Sequence, residues 1–198
     1  MMKYQHNQKG FSLVETLVAL SVLLISLAAP MTIAAKSLQN IFYAREQYTA
    51  IMLAQEGLEA VIYTQRTEMV DAIHNGGNAW AWYNALPSNC RGNNGCGMDF
   101  SGNASNPVSV AVSNCGSGGS ACQLYFDPTN SRARYSHNSS DPTSPYSRII
   151  RVSDVGTGSF EQIMVESEVR WTSVVFPSNT TESIIVRTNL FNVATTTI

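Results

Sequence analysis

Gly10, Phe11 and Glu15 are the residues whose types and spacing suggest a covalent event followed by an electrostatic one. Glu15 is the only ionisable side chain in an apolar run from Phe11 to Ala35. A charge at mid-bilayer costs about 3 kcal/mol, less near the interface, so such a carboxylate calls for a partner. Cleavage of the Gly10–Phe11 bond would create one. The new α-ammonium of Phe11 would stand one helical turn, about 6 Å along the axis, from Glu15. Within one molecule that pair is weak. Between stacked identical helices, the ammonium of one copy meets Glu15 of the next in apolar surroundings, where removing either partner strands the other.

His6 lies near the N-terminus, His74 at a helix end and His137 in a turn-rich loop, with no Gly-rich phosphate cradle, G-x-S-x-G or H-E-x-x-H. The expectation is therefore a non-enzymatic protein with no cofactor and no small-molecule substrate. Four cysteines, Cys90, Cys96, Cys115 and Cys122, favour disulfides if the chain is exported. Three connectivities are open; short loops close at least cost, which favours Cys90–Cys96 with Cys115–Cys122. Neither spacing is that of a zinc module, so no metal is expected there. Asp99, Asp127, Asp141 and Asp154 are loop carboxylates that calcium would accept, though they fit no EF-hand register. Arg132, Arg134, Arg148 and Arg151, interleaved with Tyr135 and Tyr146, would suit phosphates or a single nucleic-acid strand. The bland reading is a solvated loop. A formal net charge of −2 supplies no overall field for nucleic acid, which is not expected as a partner. Asn103, Asn138 and Asn179 each open a formal glycosylation sequon.

Long elements must position these residues. Residues 1–10, with Lys3 and Lys9, read as a basic leader that stays cytoplasmic while the rest lies beyond the membrane. Residues 11–35 are long enough to span a bilayer as a helix. Residues 36–75 continue it with an amphipathic pattern: Leu38, Ile41, Phe42, Tyr48, Ile51, Met52, Leu58, Val61 and Ile62 recur every three to four positions. Most of that stripe is expected to dock on a sheet of the same chain, with part of it free to touch neighbouring subunits. Pro30 predicts a kink, Gly57 has no evident reason, and His74–Asn78 is a stop signal. At 1.5 Å per residue the element would reach about 95 Å, a length that suits a fibre and not a single globule. A second reading takes Ile33-Ala34-Ala35 as a signal-peptidase site releasing a soluble protein from Lys36, but the apolar run exceeds the usual 7–15 residues of a secretory segment.

Residues 76–198 read as a globular head. Trp80, Trp82 and Tyr83 are expected as packing anchors. Val108–Val112 and Leu124–Phe126 read as short strands. Ser147–Ser153, Gln162–Trp171 and Ser183–Val193 read as an antiparallel meander. In the second of these, Ile163, Val165, Ser167, Val169 and Trp171 share one face, and Met164, Glu166, Glu168 and Arg170 the other. One face of such a sheet needs a cover, and the amphipathic half of the helix supplies it.

The basic leader ending in Gly10, then Phe11-Ser12-Leu13-Val14-Glu15 and an apolar helix, resembles the N-terminus of a type IV prepilin. The resemblance implies cleavage after Gly10 and methylation of Phe11 by a prepilin peptidase, and assembly of Phe11 and Glu15 with other pilin subunits. It also implies an α+β pilin-like fold. The precursor would sit in the inner (cytoplasmic) membrane with its head outside the cytoplasm, and pilus assembly machinery would move it into an extracellular filament. The runs Val165–Trp171 and Ser183–Leu190 resemble the type IV pilus modification proteins, a class of minor pilin. That reading leaves three alternatives: a pseudopilin of a type II secretion system, an adhesive or DNA-capturing minor pilin, and the secreted protein beginning at Lys36.

Overall fold

The computed structural model describes residues 10–78, 80–100, 108–129, 134–155, 162–173 and 180–191. Helix α1 spans Leu13–Asn75, and the chain divides into two compact units, one up to Ala44 and one from Arg45. In the first unit every described residue from Gly10 to Phe42 is exposed, and the helix runs across Pro30 without a break. The hydroxyls of Thr16, Ser21, Ser26 and Thr32 donate to the carbonyls of Leu13, Val18, Leu23 and Ala29 at 2.8–2.9 Å. Bonding back into the helix's own backbone lets these hydroxyls sit in apolar surroundings without an outside partner.

The second unit is an α+β head in which α1 from Arg45 onward packs on an antiparallel sheet. The sheet comprises β3 (Gln123–Asp127), β4 (Arg134–Ser136), β5 (Thr143–Asp154), β6 (Gln162–Thr172) and β7 (Thr181–Phe191), in the order β4-β3-β5-β6-β7. Strands β5, β6 and β7 form the predicted meander, with β5 longer than expected by four residues at its start. On β6 the buried face is Ile163, Val165, Ser167, Val169 and Trp171, as the alternation requires. A separate antiparallel pair joins β1 (Gly97–Phe100) to β2 (Val108–Val112). Neither β1 nor β4 is legible as a strand, since both are short and embedded in turn-forming composition.

The helix face that meets the sheet corrects the expected stripe. Ala50, Leu53, Ala54, Gly57, Leu58, Ala60, Val61 and Gln65 are buried. Leu38, Ile41, Phe42, Tyr48 and Met52 remain 48–64% exposed. Leu58 and Val61 of that stripe are buried and Ile62 packs against the core, whereas Tyr48 and Met52 give way to Ala50 and Ala54, because close approach to a sheet selects small residues. Gly57 shows this directly: a Cβ there would lie 2.6 Å from Ser167 Oγ and 3.0 Å from Arg148 Cδ.

Two clusters fill the space between helix and sheet. One gathers Leu58 and Val61 with Ile150, Val152, Ile163, Val165 and the aromatic residues around the short helix α2 (Ala81–Ala85). Trp82 is 1% exposed, so Trp80, Trp82 and Tyr83 are core anchors. The other joins Ala50, Leu53 and Ala54 to Leu124, Tyr146, Val169 and Trp171. The opposite face of the sheet is covered in part by the cysteine loops, where Cys115 and Cys122 bury Ile149. Gly119, at φ +73°, passes so close that a Cβ would collide with the Ile149 side chain.

Candidate functional site

Gly10 and Phe11 are exposed just before α1, and Glu15 lies in its first turn. The unsatisfied N–H groups of a helix start carry a partial positive charge, so a carboxylate is better tolerated there than further along the run. The helix contains an apolar window long enough to cross a membrane, none of it buried inside the protein. Leu13, Val14, Leu17, Val18, Leu24 and Ile25 are each exposed by more than half. Apolar surface on that scale, on all sides of a helix, requires lipid or other helices around it.

Within the head several charged side chains are tied into two networks, one around Arg148 and one around Glu168. The Arg148 side chain is 1% exposed and lies between Glu56 Oε2 at 3.2 Å and Asp99 Oδ1 at 3.1 Å. It also donates to the carbonyls of Leu53 and Met98. Asp99 accepts two further bonds of 2.7 Å from His137, one from the backbone N–H and one from Nδ1. Burial opposes ionisation of Asp99, but the hydrogen bonds and attraction of His137, with Arg148, outweigh it and hold the carboxyl below its ordinary range. This network ties α1, β1, β5 and the turn after β4 together.

Arg148 and Arg151 thus leave the proposed basic patch. Arg148 is in the core because β5 turns it toward α1. Arg151 faces the other side, bonded to Glu166 at 2.9 Å and Glu168 at 2.8 Å. Glu168 also accepts from Arg170; these arginines overcome its burial and hold its carboxyl below the ordinary range. Arg134 is exposed and donates to the Phe100 carbonyl, and Arg132 lies outside the described residues. The sequence missed the Arg148 cluster because its members stand far apart in the chain. A charged residue at an inward position of an apolar strand was the available signal.

The four aspartates do not converge. Asp99 is committed to Arg148 and His137, Asp127 Oδ1 caps a turn at Thr129, and Asp141 accepts from Asn138. Among the described residues no three metal-ligating side chains come together. Cys90 pairs with Cys96 and Cys115 with Cys122, with Cα separations of 4.7 and 4.9 Å. Asn138 sits exposed in a turn; Asn103 and Asn179 lie outside the described residues.

Residues 5–29 match the family model for the prokaryotic N-terminal methylation motif. With the long helix and the sheet packed on its second part, that match supports a type IV pilin-like protein. Comparison with curated proteins and with solved structures found no match.

Proposed function

We propose that this chain is a structural subunit of a type IV pilus, a minor pilin. In this reading it is cut between Gly10 and Phe11 and built into the filament through its N-terminal helix. The observation that carries the reading is the methylation motif over residues 5–29, on a helix whose apolar segment is exposed on every side. Residues 1–10 are then the leader, 11–35 the membrane and filament-core segment, and 36–75 the helix leading into the head, which occupies 76–198. The precursor waits in the inner membrane with the head outside the cytoplasm. During assembly the ammonium of Phe11 in one copy meets Glu15 of its neighbour. The pilus-modification class is favoured by the runs resembling it, which fall on β6 and β7.

Mass spectrometry of the mature N-terminus tests the processing: N-methyl-Phe11 is expected, whereas a start at Lys36 would overturn the reading in favour of a secreted protein. Glu15→Val tests the pairing. The variant should insert and be cleaved normally yet enter filaments poorly; normal incorporation would remove the role given to Glu15.

A further inference from the structure

The two edges of the five-stranded sheet differ. The β4 edge is three residues long, too short to template another strand. The β7 edge is eleven residues long, pairs with β6 in register along its whole length without a bulge, and contains no proline or lysine. Its charges are Glu182, opposite Trp171, and Arg187; proteins ordinarily blunt a long edge further with prolines, lysines or bulges, because its outward N–H and C=O groups invite pairing. Among the described residues no strand lies beyond β7.

The side chains of this edge are arranged for a particular neighbour. Across the outer face, Arg151, Glu166 and Arg187 stand directly opposite one another on β5, β6 and β7. The charges alternate, and the row stops at a cation. Arg187 Nε bonds Glu166 at 2.8 Å, while 55% of its side chain is exposed. On the inner face, Ile184, Val186 and Thr188 are only half buried, whereas Val165 and Val169 beside them on β6 are fully buried. One more strand would complete both faces.

From this we infer that the β7 edge is a docking site for an extended strand of a partner protein. That strand carries an acidic residue opposite Arg187 and apolar residues on either side of it, facing inward. Main-chain hydrogen bonds supply the affinity and the alternating side chains the selectivity.

The test uses the full chain in detergent micelles with two synthetic strands of alternating valine and threonine, one with a central glutamate and one with a central lysine. Amide hydrogen exchange should slow across residues 181–191 when the glutamate strand is added. Fluorescence anisotropy should show the glutamate strand binding about two- to five-fold tighter than the lysine strand, the range of a cross-strand charge pair. Arg187→Glu should reverse that preference, and the milder Arg187→Gln should abolish it. Unchanged exchange in β7, protection appearing at residues 134–136 instead, or a preference that survives Arg187→Glu would overturn the inference.

Discussion

Single residues in the head carry large structural consequences because they are buried with charge or without room. Removing one partner of a buried ion pair costs about 3–5 kcal/mol, since the other is left uncompensated. Asp99 makes the Arg148 cluster sensitive to pH. Its folded carboxyl is held below the unfolded value, so its stabilisation is complete above about pH 4 and is lost as pH falls through the folded pKa. Urea midpoints measured from neutral pH downward should therefore fall steeply in acid, and Asp99→Asn should flatten that limb while lowering the neutral plateau. Gly57 makes the opposite kind of demand, for absence of a side chain. Helix propensity alone favours Ala by about 1 kcal/mol, but overpacking against Ser167 and Arg148 costs about 1–3 kcal/mol. Gly57→Ala should lower the denaturation midpoint, and a double-mutant cycle with Ser167→Gly should recover part of the loss through their coupling.

At the scale of elements, the cysteine loops replace core that their own composition does not provide. Residues 88–96 and 114–122 are rich in Asn, Ser and Gly, yet they cover Ile149 and carry carbonyls to which Arg151 and Arg170 donate, those of Asn93 and Gly118. Closing a loop this short removes about 2–3 kcal/mol of chain entropy from the unfolded state. Replacing Cys115 and Cys122 together by Ala should lower stability by about that amount, read from thermal or denaturant unfolding. Exchange at Gly119–Cys122 should rise before that of β5 and β6, because only the cover over Ile149 is released.

For the whole molecule, the two units answer to different solvents. The first exposes apolar side chains on every side, while the second buries its own between helix and sheet. A chain beginning at Lys36 should partition into the aqueous phase of a detergent cloud-point separation, and the full chain into the detergent phase. An aqueous full-length chain would contradict membrane anchoring.

Much of this was legible in the sequence because local pattern reports it without reference to distant residues. The apolar run with its one acid, the helix end near His74–Asn78 and the alternating face of β6 each follow from spacing along the chain. What only the tertiary structure decided was which atoms meet across long separations. Size and periodicity pointed to Tyr48 and Met52 as docking residues, whereas close approach to the sheet chose Ala50, Ala54 and Gly57. Arg148 looked like one cation in a surface patch until β5 turned it inward toward Glu56 and Asp99. Periodicity shows that a helix has a buried side; only packing, where steric room competes with apolar area and charges must find partners, determines which side that is.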